Sequence, residues 1–260
     1  MQNCLTTVFN PNAFNMRENK YDDPDFFENY GHMPRSVAGL NAAGEWHVLQ
    51  KMMPDFEGKS VLDLGCGFGW HCIYAKQQGA KRVVGIDLSS KMLEAAKEKS
   101  AGLEIEYQQM AIEDIDFSLQ EFDVVISSLA FHYVKDFNLI CQKINHCLQP
   151  GGHFIFSQEH PVFTSRPEQD WILDGSGNRL YWPLDHYQQE GIRHTSFLGH
   201  TVTKYHRTLE RVLNVLIDSG FIIKRVSEPK PSEETLENYP EMKDENRRPI
   251  FLMVSAIKEN

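Results

Sequence analysis

Two carboxylates, a run of glycines and two histidines stand where their types and spacing could do chemistry. The run Val61-Leu62-Asp63-Leu64-Gly65-Cys66-Gly67-Phe68-Gly69-Trp70 leads an apolar strand into three glycines spaced two apart. Glycines at a strand-to-helix turn let the backbone approach a ligand closely, which points to nucleotide binding. The next strand, Arg82-Val83-Val84-Gly85-Ile86-Asp87, ends in a carboxylate placed to accept hydrogen bonds from ribose hydroxyls. Among eleven histidines, position selects His132, just after the fourth strand, and His160, just after the fifth, in Gln158-Glu159-His160-Pro161. An imidazole pKa near 6.5 suits proton transfer, so both are candidate catalytic residues, each weighed against a histidine that only lines or caps a pocket.

The elements that must position these residues follow from pattern. Strands are expected at 60–64, 82–87, 105–109, 122–128 and 153–158, separated by helical segments, which is the signature of a doubly wound parallel α/β sheet. Ser89 can cap a helix with Met92, Leu93 and Ala96 on one face. Asp136 can cap another, with Ile140, Ile144, Cys147 and Leu148, that Pro150-Gly151-Gly152 stops. A later helix is expected over about 207–219, ending at Gly220, followed by strands at 221–227 and 250–257.

Around this domain, 54–160 and 206–260, three further segments are expected. Residues 1–15 read as a flexible extension, and 16–53 as a helical lid able to close over a pocket, with Tyr30 and Arg35 facing substrate and His32 a weaker candidate. Residues 161–205, rich in aromatics, leave from the carboxyl end of the fifth strand, where open α/β folds bind ligands. They read as a substrate cap carrying Trp171 and Tyr181, with a purely structural flap as the alternative.

Composition narrows the class. The chain of 260 residues suits one sizeable domain with an insertion, and its 41% apolar content can fill a core. No apolar run reaches the length of a membrane span, and the start lacks a basic-then-apolar signal pattern, so no membrane partner is expected. Five cysteines without a Cys-x-x-Cys pair predict a reduced cytoplasmic protein with no metal site. A net charge of −10 disfavours nucleic acid, whose phosphates are held by clustered Lys and Arg.

The nucleotide is narrowed by spacing. A dinucleotide fingerprint places glycines at relative positions one, three and six; here position six is Trp70 and the third glycine comes one residue early. Asp63-x-Gly65-x-Gly67-x-Gly69 instead resembles motif I of the class I S-adenosylmethionine-dependent methyltransferases. Val84-Gly85-Ile86-Asp87-Leu88-Ser89, Ala111-Ile112-Glu113-Asp114-Ile115, Phe122–His132 and Leu148–Phe156 resemble that family's later motifs, in order, so the similarity covers about residues 55–160.

The resemblance implies a Rossmann-like sheet of seven strands, mostly parallel with an antiparallel last strand, and S-adenosylmethionine as cofactor, with S-adenosylhomocysteine as product. It implies that Gly65, Cys66 and Gly67 pass close to the methionine portion, with Asp63 near its amino group and Ser127 and Leu129 beside it. Asp87 would take the ribose, Leu88 and Met92 the adenine side, and Ile112 and Glu113 the adenine edge; many members carry an acid where this chain has Ala111. The chain has Ser127-Ser128-Leu129-Ala130 where enzymes of base and glutamine nitrogens often carry Asn/Asp-Pro-Pro-aromatic, and it has no Pro-Cys dipeptide, the nucleophile of cytosine-C5 enzymes. The expectation is methyl transfer to a small-molecule acceptor. A non-catalytic cofactor-binding regulator, an enzyme acting on RNA or protein, and an NAD-type oxidoreductase remain as alternatives. The acceptor, the methylated atom and the oligomeric state stay open.

Overall fold

The computed structural model describes residues 19–260, so the expected extension at 1–15, and residues 16–18 of the expected lid, lie outside the described residues. A 3-10 turn (Lys20–Asp22), α1 (Pro24–Gly31), α2 (Pro34–Ala38), a second 3-10 turn (Gly39–Ala42) and α3 (Trp46–Leu49) come first. Then follow β1 (Ser60–Leu64), α4 (Trp70–Gln77), β2 (Arg82–Asp87), α5 (Ser90–Lys99), β3 (Glu106–Gln109), β4 (Phe122–Ser128), α6 (Phe137–Cys147) and β5 (Leu148–Glu159). The segment after β5 holds α7 (Pro161–Thr164), β6 (Ile172–Leu173), β7 (Arg179–Tyr181), β8 (Gly191–Phe197) and β9 (His200–His206). The chain then runs through α8 (Leu209–Asp218), β10 (Phe221–Ser227), α9 (Glu233–Asn238) and β11 (Phe251–Lys258).

Seven strands form one sheet in the order β10-β11-β5-β4-β1-β2-β3. β1 pairs in parallel with both β2 and β4, so the strand order reverses at β1 and opens a crevice beyond its carboxyl end. β11 runs antiparallel to both its neighbours. Both faces of the sheet are covered, which is why its central strands read as near-continuous apolar runs. Leu62, Leu64, Val84, Ile86 and Val125 pack with α6 and α8 on one face; Val61, Val83, Val124 and Ile126 pack with Trp46, Leu49 and Phe56 on the other. The expected caps form: Ser89 Oγ accepts from the Met92 N–H at 3.1 Å, and Asp136 Oδ1 from Leu139 at 3.0 Å.

Two expectations are corrected. α6 stops at Cys147, ahead of Pro150-Gly151-Gly152, and β5 begins at Leu148 rather than 153. The buried Leu148 pairs with Phe122; the register then shifts, and His153 pairs with Val124, so the Pro-Gly-Gly residues are an irregularity within the strand. The later helix starts at Leu209, with Thr208 Oγ1 accepting from Arg211 as its cap. The polar connection before β11 contains α9, capped by Ser232, and a 3-10 turn (Pro240–Arg247).

Residues 161–205 fold as α7 and two small ribbons, β6–β7 and β8–β9. Two features fasten them. Phe163, Trp171 and Trp182 surround the Arg248 guanidinium, 4.0 Å from the Trp182 centroid and 4.8 Å from that of Phe163. Inside, the Lys204 ammonium from β9, 2% exposed, lies 2.5 Å from Glu159 Oε1 at the end of β5 and donates to Gln169 Oε1 at 3.0 Å. Gln169 in turn donates to Glu159 Oε2 and accepts from Thr195. Burial works against charge on Glu159, but His132 and Lys204 beside it outweigh that and hold its pKa below the usual carboxylate value. Removing one member of a buried pair strands the other, at a cost of about 3–5 kcal/mol. Lys204→Met is therefore expected to destabilise the protein by about that amount in urea unfolding. Adding Glu159→Gln should recover a large part of the loss; if the double variant is as unstable as the single one, the pair is not what holds the segment.

Candidate functional site

The glycine run adopts the turn that its spacing requires. Gly65, Gly67 and Gly69 all have positive φ, at 71°, 52° and 75°. A Cβ on Gly65 would come within 2.6 Å of the Ala130 Cβ, and one on Gly69 within 2.4 Å of the Tyr107 Oη. A Cβ on Gly67 would meet nothing within 4 Å; it would project into open space. Asp87 fixes this turn. Its Oδ2 accepts from the Gly67 N–H and its Oδ1 from the Ser89 N–H, each at 2.9 Å. Burial raises the Asp87 pKa, and these two N–H groups oppose the rise.

A single cavity opens over the turn, with an empty volume of about 1130 Å³ that includes open solvent. Its lining includes Gly65, Cys66, Gly67, Asp87 and Leu88, together with Ile112, Glu113 and Leu129. Leu129 has φ of 55°, rare for a residue of its type, and its N–H bonds back to the Ser157 carbonyl at 2.9 Å. The N-terminal helical segment supplies Tyr21, Tyr30, Arg35, Ser36 and neighbours up to Ala43. Asp22 ties this segment to the start of α5, accepting from Ser89 Oγ at 2.6 Å. Tyr21 packs edge-on against Tyr30 and Tyr133, and burial raises the pKa of the Tyr21 and Tyr30 phenols. Arg35 lies 2.5 Å from the buried Glu45.

Comparison with known proteins gives the family of the chain. Residues 62–156 match a family model described as a methyltransferase domain. An S-adenosylmethionine dependent methyltransferase structure from Mesorhizobium loti is 42% identical, covering 85% of this chain and 100% of that one, with a TM-score of 0.79. A Listeria monocytogenes structure of the same description is 54% identical, with the same coverage and a TM-score of 0.81. An uncharacterized protein of Haemophilus influenzae is 34% identical over 92% of this chain and 96% of its own. The chain belongs to the S-adenosylmethionine-dependent methyltransferases.

The cavity of this methyltransferase fits that cofactor: open space above Gly67 and a carboxylate at the end of β2. Gly65, Cys66, Gly67, Asp87, Leu88, Met92, Ile112, Glu113, Leu129, Tyr30 and Arg35, all expected from the sequence, line the one cavity. Asp63 and Ser127 lie outside its lining. Asp63 is 1% exposed, accepts from Cys72 Sγ at 3.3 Å and is pushed by burial up to about 7; Ser127 Oγ is spent on the Leu64 carbonyl at 2.8 Å.

Neither candidate histidine lines the cavity. His160 Nδ1 accepts from the Val162 N–H at 3.0 Å, capping α7, and its Nε2 sits 2.9 Å from Glu228 Oε1 without hydrogen-bond alignment. His132 is buried behind Tyr133, with Nδ1 accepting a long 3.4 Å bond from the Glu159 N–H. Trp171 belongs to the aromatic cluster around Arg248, and Tyr181 is 56% exposed; no described residue of 161–205 lines the cavity. The sequence reading missed Tyr21, Ser36, Trp70, His71 and Tyr133, which do line it. Trp70 and His71 carried a signal in their place directly after Gly69, in the first turn of α4.

Burial lowers the His132 pKa to about 4, with Glu159 opposing the shift. Between pH 6.5 and 4 the unfolded chain binds a proton that the folded chain refuses, so stability falls as pH drops through that window. The shift corresponds to on the order of 3 kcal/mol. His132→Gln should flatten the acid limb of the stability curve between pH 6.5 and 4 in urea unfolding; a slope unchanged from wild type would mean that His132 titrates freely.

Proposed function

We propose that this methyltransferase acts on a small-molecule acceptor held in the cavity between the glycine turn and the lid. The observation that carries the reading is that the chain roofs its own cofactor cavity with residues 19–43, leaving space for a compact molecule rather than for a polymer laid across an open face. The net charge of −10 argues the same way, since phosphate backbones need clustered cations. Cys66, Cys72, Cys141 and Cys147 are free thiols, which supports a reducing, cytoplasmic setting. Among the described residues no helix is long and apolar enough to cross a membrane.

S-adenosylmethionine, when bound, supplies an electrophilic methyl group on a sulfonium. The protein's share of the work is then positioning, because in-line displacement needs nucleophile and methyl at about 3–3.5 Å in the right alignment. In this reading Asp87 accepts from the ribose hydroxyls with the carboxylate that already holds the turn, Leu88, Met92, Ile112 and Glu113 enclose the adenine, and Gly65 to Gly67 pass the methionine portion. Tyr21, Tyr30 and Leu129 exclude water from the reacting atoms. His132 and His160 serve through the packing they fix, since both lie outside the cavity lining.

Titration calorimetry tests the cofactor half. S-adenosylhomocysteine should bind at micromolar levels and NAD should give no isotherm; the reverse would remove the reading. Asp87→Ala should weaken S-adenosylhomocysteine about 10- to 150-fold, from the loss of hydrogen bonds to a charged acceptor. The acceptor half is tested by transfer of labelled methyl from S-adenosylmethionine into metabolite extract. Label should enter the low-molecular-weight fraction; label confined to RNA or protein would overturn the small-molecule reading, and tight binding without any transfer would indicate a regulator.

A further inference from the structure

A 3-10 turn (Phe131–Tyr133) follows β4, and Tyr133 and Val134 at its end line the cavity. Tyr133 meets the N-terminal helical segment there: its phenol oxygen lies 3.4 Å from that of Tyr21, with the two rings edge-on at 6.3 Å. So short a turn is held by few bonds of its own, and its position depends on what else reaches its carbonyls. One side chain reaches them. Arg207, directly after β9 and 9% exposed, donates from Nη1 to the Phe131 carbonyl at 3.2 Å. Its Nη2 donates to the carbonyls of Val134 and Lys135, the latter at 3.1 Å. A long bond from Nη1, 3.5 Å, goes to the Tyr205 carbonyl.

Packing alone does not call for an arginine at this place. Burial lowers the Arg207 pKa to about 10, and an apolar side chain of similar volume would avoid that desolvation. Charge pairing is not its use either, since among the described residues its hydrogen bonds all go to backbone carbonyls. What an arginine supplies is several donors in one rigid planar fork, where a lysine offers a point charge. Here the fork fixes three carbonyls of the stretch that carries Tyr133, while the guanidinium carbon lies 5.4 Å from the Phe137 ring centroid at the start of α6. Arg207 itself does not line the cavity, nor does any described residue of 161–205 before it. We infer that Arg207 is a positioning residue of the methyltransferase site, holding the turn after β4 so that Tyr133 meets Tyr21 across the cavity. Through it the segment after β5 acts on a cavity that it does not line.

The inference rests on the cavity being the methyltransferase site. A double-mutant cycle separates positioning from packing, because a residue that acts through another loses its effect once that other is removed. Calorimetry measures S-adenosylhomocysteine affinity for wild type, Arg207→Lys, Tyr133→Ala and the double variant, with urea unfolding as the check on each fold. Arg207→Lys should weaken binding about 3- to 30-fold in the wild-type background. In the Tyr133→Ala background the same change should cost less than about 2-fold. Arg207→Met, which removes every donor, should weaken wild type at least as much as Arg207→Lys and likewise lose its effect beside Tyr133→Ala. Labelled-methyl transfer into metabolite extract at saturating S-adenosylmethionine should follow the same pattern. An equal loss in both backgrounds overturns the inference, as does no loss in wild type. If neither Arg207 variant folds, Arg207 is a residue of the core and the inference falls. Failure of wild type to bind S-adenosylhomocysteine would instead overturn the site itself.

Discussion

One carboxylate carries the geometry of this site. Each oxygen of Asp87 accepts a backbone N–H, from Gly67 in the turn and from Ser89 at the start of α5. Ser89 caps that helix and also donates its hydroxyl to Asp22 in the lid. Floor, helix start and roof are thus registered to the end of β2 by a few hydrogen bonds. The carboxylate is buried, and the same burial that raises its pKa strengthens the bonds that hold it.

The two segments that flank the cavity divide the work differently from their compositions. The short helices of residues 19–43 supply one wall of the cavity. The aromatic-rich segment after β5 spends its rings on fastening to other parts of the chain: Trp171, Trp182 and Phe163 enclose Arg248, and Phe197 packs on Phe26 of α1. It meets the site by supporting the lid and the turn after β4, with Lys204 and Glu159 as the buried fastening. Aromatic richness here marks packing against arginines, a use that composition does not distinguish from ligand binding.

The sheet was legible in the sequence because its central strands repeat one constraint, apolar on both faces, and because Ser89 and Asp136 announce the helices they cap. The floor of the site was legible for the same reason: Gly65, Gly67 and Asp87 are fixed by local backbone needs that spacing reveals. What escaped depends on distant pairing. Leu148 extends β5 because Phe122 lies opposite it, and nothing near Pro150 says so. His160 stands at a catalytic position by sequence, yet its ring accepts from the Val162 N–H and caps α7. Trp70 and His71 line the cavity beside Arg35 and Ser36, residues far upstream in the chain, a meeting that no local spacing announces.

The antiparallel strand has a consequence for how the sheet is made. β10 sits at the sheet edge and bonds only to β11, which follows it in the chain and lies between it and β5. During synthesis β10 therefore leaves the ribosome with no strand to join, since the place beside β5 belongs to a segment not yet made. Its Ile222 and Val226 are exposed even in the finished fold. Until residues 251–258 arrive, β5 and β10 both present open edges, the kind of surface on which nascent chains pair with the wrong partner. The order of translation thus leaves this side of the sheet to close last.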